Sequence, residues 1–230
     1  MKFESPLVST ELVAELLDDP RLRIFDTTIR LVPNPDGFGY IPENGRADWE
    51  ASHIPGATFI DVIDELSDKN QAYPAMMLPP EDFANIMAAR GVSNDSMVVL
   101  YNSDVPMWST RLWWMLRSIG FDNVAILNGG FEKWFREGKP VSNGQSKYAA
   151  GSLVASPRPE MWAEKGDMLN MMEAGNKVTL NALSPEVYSG DKNQYGRPGH
   201  IPGSHNVFYG NLIDTETGEF GCVNVIEAVS

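Results

Sequence analysis

The sequence predicts an α/β fold built on a parallel sheet, present as one complete copy and one incomplete copy, and three observations carry that prediction. Met97-Val98-Val99-Leu100-Tyr101 and Val124-Ala125-Ile126-Leu127 are continuous apolar runs of strand length, the pattern of strands buried on both faces. Stretches with helical spacing lie between and around them, and alternation of strands with helices favours parallel crossovers. Finally, His53-Ile54-Pro55-Gly56 recurs as His200-Ile201-Pro202-Gly203, 147 positions later. Each occurrence follows a helix, a short strand and a Pro/Gly-rich loop, which is the mark of an internal repeat.

In chain order, Ser9 or Thr10 caps a helix whose apolar positions are Leu12, Val13, Leu16 and Leu17. Arg23-Ile24-Phe25-Asp26 reads as a short buried strand. Leu31 to Glu50 carries Pro33, Pro35, Gly37, Gly39, Pro42 and Gly45 and is expected to be a long loop. A helix is expected over Glu81 to Arg90, then the Met97 strand, a loop from Asn102 to Trp108, and a helix over Ser109 to Ile119. Leu112, Trp113, Leu116 and Ile119 share one side of that helix, and Trp113 and Trp114 are expected in the core or a domain contact. Asn128-Gly129-Gly130 closes the Val124 strand. From 143 to 157 the chain is small and polar, as a linker is. A helical stretch from Met161 to Ala174 and a strand over Lys177 to Asn181 follow. The expected division is 1–142 for the first copy, 143–157 for the linker and 158–230 for the partial second copy.

Composition narrows the functional classes. With 43% apolar and 21% charged residues the chain is an ordinary globular one, and no run approaches the ~20 apolar residues of a membrane span. The acidic residues near the N-terminus argue against a secretory signal. A net charge of −13 repels phosphate backbones, which excludes nucleic acid as a partner. One cysteine, Cys222, leaves no internal disulfide and no cysteine-based zinc site, and three scattered histidines make no metal cluster. The expectation is a cytoplasmic protein without metal or cofactor.

The repeat spacing bears on completeness. His53 precedes Asn102 by 49 positions, so the second copy's equivalent loop falls at about position 249, beyond Ser230. The second copy is therefore expected to lack its main strand and the elements after it, as in a truncated chain. Such a copy would pack loosely, be unstable alone, or borrow strands through self-association.

The segments HIPGATFID, LSDK, YPAMMLPPEDF, VVLYN, TRLWWMLRSIGFDNVAILNGGFEKW and EGKPVS resemble the tandem-domain rhodaneses, the thiosulfate and 3-mercaptopyruvate sulfurtransferases. The resemblance spans residues 7 to 142 and continues through NALSPEVYSG and YGRPGHIPGSHNV. It implies rhodanese domains, each a five-stranded parallel sheet flanked by helices. The N-terminal one is usually non-catalytic, and the C-terminal one carries a cysteine that takes up sulfane sulfur as a persulfide. The implied partners are a small anionic sulfur donor and a cyanide or thiol acceptor.

That chemistry needs a thiolate, and a free cysteine, with a pKa of about 8.5, is mostly protonated near neutral pH. A loop wound at a helix N-terminus stabilises thiolate, persulfide and anionic donor alike. In the first copy Asn102 stands at the cysteine position, an amide cannot attack sulfur, and Asp104 opposes an anion. Cys222, in Phe220-Gly221-Cys222-Val223-Asn224, has no glycine-rich loop around it and is not expected to be the nucleophile. His53 and His200 are candidate bases, but in a His-Ile-Pro-Gly turn the expected role is to fix the turn. Gly56, Gly203, Gly129 and Gly130 are expected turn glycines, and Met76, Met77, Met168, Met171 and Met172 adaptable packing. Arg197 is the candidate substrate-binding group, because an arginine fork suits oxyanions. Where many relatives have Asp-Ala-Arg, this chain has Asn181-Ala182-Leu183, with Val187 where some relatives carry a second arginine, so the resemblance leaves the donor open. Two readings result: a sulfurtransferase whose nucleophile is missing from the chain, or a catalytically inactive protein that binds anions or a partner protein.

Overall fold

A computed structural model describes residues 1–175 and 177–221. The chain divides into two compact units, Met1–Arg30 with Glu43–Met161, and Leu31–Pro42 with Trp162–Ser230. Among the described residues no helix is long and apolar enough to cross a membrane.

The first unit is a five-stranded parallel sheet flanked by helices. Its strands are β1 (Leu7–Val8), β2 (Leu22–Asp26), β5 (Thr58–Phe59), β6 (Met97–Tyr101) and β7 (Val124–Leu127), in the order β1-β7-β6-β2-β5. β2 and β6 run in register over five residues, from Leu22 opposite Met97 to Asp26 opposite Tyr101. All five residues of β6 are fully buried, as a central strand covered by helices on both faces requires. Each large apolar side chain buried there stabilises the fold by about 1.5–3 kcal/mol.

The helices are α1 (Thr10–Leu16), α2 (Arg46–Ala51), α3 (Pro80–Ala89), α4 (Met107–Ser118) and α5 (Gly130–Arg136). Ser9 caps α1 by accepting from the Leu12 N–H at 3.3 Å. α4 buries Trp108, Leu112, Met115 and Leu116, and α5 buries Trp134, whose indole N–H donates to the Pro140 carbonyl at 2.8 Å. Trp113 is half-buried, with its indole N–H on the Val124 carbonyl at 3.1 Å. Trp114, expected in the core or a domain contact, is 40% exposed in this unit and faces away from the Leu112–Leu116 stripe.

The segment expected to be a loop from Leu31 to Glu50 holds a two-stranded ribbon, β3 (Ile29–Pro33) with β4 (Tyr40–Asn44), followed by α2. Prolines are tolerated because the ribbon has free outer edges on which no N–H is needed. α2 forms because Trp49 gains burial, with its indole N–H on the Ala57 carbonyl at 3.2 Å.

Residues 143–157 are not a free tether but a strap bonded along the first unit. Gly144 N–H donates to Glu50 O (2.8 Å), Gly151 N–H to Ala88 O (2.8 Å) and Ser156 N–H to Ile119 O (2.7 Å). Close approach needs Gly91, at φ +92°, where a Cβ would run into the Tyr148 side chain. A small, polar composition reads as a linker, yet its backbone groups find partners on a folded surface.

In the second unit, α6 (Lys165–Ala174) is preceded by a single 3-10 turn over Pro159–Met161 rather than forming one helix from Met161. β8 (Leu180–Asn181) pairs in parallel with β9 (His205–Asn206), and α7 (Pro185–Ser189) lies between them in sequence. The strand expected over Lys177 to Asn181 is thus reduced to its last two residues.

Candidate functional site

In a parallel sheet the ligand site lies at the carboxyl ends of the strands, and here the central strand β6 runs into the loop that begins at Asn102 and then into α4. Asn102 is buried, at 4% exposure, and both ends of its amide are engaged. Its Oδ1 accepts from Ser109 Oγ at 3.0 Å, and its Nδ2 donates to the Asp104 carbonyl. Ser109 Oγ in turn pairs with Thr27 Oγ1 at 2.8 Å. The Asn102 carbonyl accepts from the Phe131 N–H at 3.0 Å. A Cβ on Gly130, which sits at φ +57°, would run into that same oxygen. The Asn102 amide thus occupies the first position of the loop with both its ends bonded within it.

Sequence reasoning missed the group that anchors this loop from the neighbouring strand. Asp26, the last residue of β2, accepts at Oδ1 from both the Thr28 N–H (2.8 Å) and the Thr28 hydroxyl (2.5 Å). Thr28 Oγ1 then accepts from the Ser103 N–H at 3.0 Å. Burial pushes the Asp26 carboxyl up to about 6, with the Thr28 bonds opposing the rise and the Asp48 charge adding to it. Burial, followed by the Asp26 charge, also holds the Tyr101 phenol well above its ordinary range. The available signal was Asp-x-Thr at a strand end, the pattern of a local side-chain-to-backbone turn.

The two His-Ile-Pro-Gly histidines share one arrangement. His53 Nδ1 lies 2.6 Å from the Trp49 carbonyl oxygen and its ring stacks on Trp49 with centroids 4.9 Å apart. His200 Nδ1 lies 2.7 Å from the Tyr188 carbonyl oxygen and stacks on Tyr188 at 3.7 Å. Both hold a ring nitrogen on backbone, as a turn-fixing role requires. The strand ends correspond as well. Ile60 N–H donates to Asp26 O and Val207 N–H to Asn181 O, each at 2.9 Å, and Asn181 Oδ1 accepts from the Leu183 N–H at 3.0 Å as Asp26 does from Thr28.

Arg197 is exposed in the second unit, and no carboxylate among the described residues pairs with it. It lines a cleft of about 490 Å³ together with Lys165, Asn181, His200 and the apolar side chains Met168 and Leu169 of α6. Cys222 lies outside the described residues. No group of three metal-ligating side chains comes together among the described residues.

A parallel five-stranded sheet with a strand–loop–helix at its centre defines the class, and the rhodanese-like domain family matches residues 9–137. The chain belongs to that family. It is 33% identical over 218 residues to 3-mercaptopyruvate sulfurtransferase of Rattus norvegicus, covering 91% of this chain and 71% of that protein. The enzyme of the same name from Escherichia coli strain K12 is 30% identical over 225 residues, covering 96% and 77%. Thiosulfate sulfurtransferase of Bos taurus is 30% identical over 224 residues, covering 92% and 71%. Among solved structures, SseA from Escherichia coli, described as a 3-mercaptopyruvate sulfotransferase of the rhodanese fold, superposes with a TM-score of 0.83 at 28% identity, covering 98% of this chain and 82% of its own.

Proposed function

We propose that this chain is a sulfurtransferase relative of the thiosulfate and 3-mercaptopyruvate kind whose first domain is a non-catalytic module. The 230 residues then bind an anionic sulfur donor without transferring its sulfur. The observation that supports this reading is Asn102: at the end of the first copy's central strand, in the position that corresponds to the cysteine of a catalytic copy, stands a buried amide with both ends bonded. In a relative with a thiolate on the corresponding loop of its C-terminal copy, the outer sulfur of thiosulfate passes to the thiolate and sulfite leaves. Cyanide then takes that sulfur as thiocyanate and frees the thiolate.

The second unit is read as the start of a second copy of the same domain. The matched histidine–carbonyl contacts of His53 and His200, and the matched strand-end bonds of Asp26 and Asn181, support that reading. Arg197, beside Lys165 in the 490 Å³ cleft, is the proposed donor-binding group, since a guanidinium fork with a second cation beside it suits a small dianion.

The test is thiocyanate formation from thiosulfate and from 3-mercaptopyruvate with cyanide, run on this protein and on Cys222→Ser. No turnover by either, together with thiosulfate binding that weakens in Arg197→Ala, is the expected result. Turnover that disappears in Cys222→Ser would overturn the reading and make Cys222 the nucleophile. Turnover kept in Cys222→Ser would overturn it too, since a nucleophile other than a thiol would then be at work.

A further inference from the structure

A second group of cations gathers in the first unit, away from the Asn102 loop. Arg46 of α2, Arg90 after α3 and Lys147 of the strap line a pocket of about 460 Å³ over the edge strand β5, with Ile86 and Ala89 of α3 forming an apolar wall. Glu65 is the carboxylate that the two arginines share: it pairs with Arg90 and reaches Arg46 at 3.5 Å. Glu50 nearby is approached by the Gln145 amide at 3.4 Å. Arg90 also donates to the Phe59 carbonyl at 3.0 Å, and the Arg46 guanidinium covers the Phe59 ring at 4.7 Å. Lys147 is exposed and no carboxylate among the described residues pairs with it. Three cations thus line one pocket, and two of them share one carboxylate, in a protein whose net charge is −13.

The strap anchors the residues on either side of Lys147. On one side of Lys147, the Ser146 hydroxyl donates to the Ala57 carbonyl; on the other, the Tyr148 hydroxyl accepts from the Ile24 N–H at 3.0 Å. Arg23 lies over the Tyr148 ring at 4.7 Å. Burial, and after it the charge of Arg46, lowers the Arg90 guanidinium from its ordinary value, and with Lys147 the three cations outnumber the one carboxylate that Arg46 and Arg90 share. Long-range repulsion from the acidic surface does not keep an anion from them, because at physiological ionic strength the screening length is about 8 Å.

We propose that this pocket binds a phosphate monoester of a small organic molecule. Arginine forks recognise tetrahedral oxyanions in two-pronged fashion, three cations call for a dianion, and the pocket has room beyond a bare ion for an organic body against Ile86 and Ala89. This site is independent of the donor site proposed at Arg197.

The test is an amide chemical-shift titration of the full chain with phenyl phosphate, inorganic phosphate, thiosulfate and phenol. Phenyl phosphate is expected to bind saturably, at least fivefold tighter than inorganic phosphate or thiosulfate, and phenol not at all. The shifts should centre on residues 86–90 and 145–148. Lys147→Glu, at an exposed position that holds nothing in the fold, should weaken phenyl phosphate at least tenfold, and Arg197→Ala should leave it unchanged. Equal binding by wild type and Lys147→Glu, or shifts centred elsewhere, would overturn the site. Thiosulfate binding as tightly as phenyl phosphate would overturn the organic-ester assignment.

Discussion

The imidazole of His53 is held between two parts of one residue: its Nδ1 sits 2.6 Å from the Trp49 carbonyl oxygen while its ring lies on the Trp49 indole, with 21° between the planes. Since His53 is 1% exposed, no solvent can replace it. His53→Ala leaves the Trp49 carbonyl without that partner and opens a cavity, at a cost of about 2–4 kcal/mol. His200 makes the same contact to Tyr188 in the open, so His200→Ala should cost about 1 kcal/mol or less. Urea unfolding of the two variants separates them, and equal losses would mean that burial does not set the strength of the contact.

Asp26 gives the fold a pH dependence of defined sign. Its carboxyl is raised from 3.8 to about 6, chiefly by burial, so the folded state binds the proton more tightly than the unfolded chain does. Stability from this group is therefore complete below the unfolded value near 4 and is lost as pH rises through about 6. Between pH 7 and pH 4.5 the wild type should gain, relative to Asp26→Asn, about 2 kcal/mol. The amide introduced by Asp26→Asn keeps an oxygen to accept from Thr28, so the comparison isolates the charge. Parallel stability curves for the two proteins across that range would show that Asp26 titrates as it does in water.

Gly130 permits the approach of α5 to the Asn102 loop. A left-handed φ of +57° disfavours a side chain there, and a Cβ would collide with the Asn102 carbonyl oxygen that the Phe131 N–H already bonds. Gly130→Ala should destabilise the first unit by about 2–3 kcal/mol, of which about 1 is backbone strain and the rest the collision. Gly138, at φ +66° with open space around it, is the control: Gly138→Ala carries the strain alone and should cost about 1 kcal/mol. Thermal unfolding of both variants checks the difference.

The sheet was legible because its central strands announce themselves. Met97–Tyr101 and Val124–Leu127 are uninterrupted apolar runs, and a strand buried on both faces has no other composition open to it. β1 and β5 were not legible, since two residues carry no periodicity and their pairing with β7 and β2 is set by the sheet already formed. The β3–β4 ribbon was hidden by prolines that only a free edge tolerates. At the site, Asn102 was readable by position. The engagement of both ends of its amide was not, because Ser109 and Asp104 reach it through the turn into α4. The chain from Asp26 through Thr28 to Ser103 crosses from β2 to the β6 loop, 75 positions apart between Thr28 and Ser103, and no local pattern reports such a contact. Gly130 was readable as a turn glycine, but its approach to the Asn102 carbonyl, like the bonding of the strap over 143–157, depends on contact between distant segments and was equally silent.

Restoring a thiol to the first loop should not create a sulfurtransferase. In Asn102→Cys the side chain enters a position only 4% exposed, lined by the Ser109 hydroxyl and the Asp104 carbonyl. Burial of this kind raises a cysteine pKa, opposite to what sulfur attack requires. The Asp104 carbonyl also loses its donor, while Ser109 keeps Thr27 at 2.8 Å. The variant should therefore be less stable by about 1–3 kcal/mol, react slowly with an aromatic disulfide reagent at neutral pH, and form no thiocyanate from thiosulfate and cyanide. Rapid thiol titration with thiocyanate production would show that the Asn102 loop is an intact anion cradle lacking only its sulfur, and that the closure read from its hydrogen bonds depends on the amide alone.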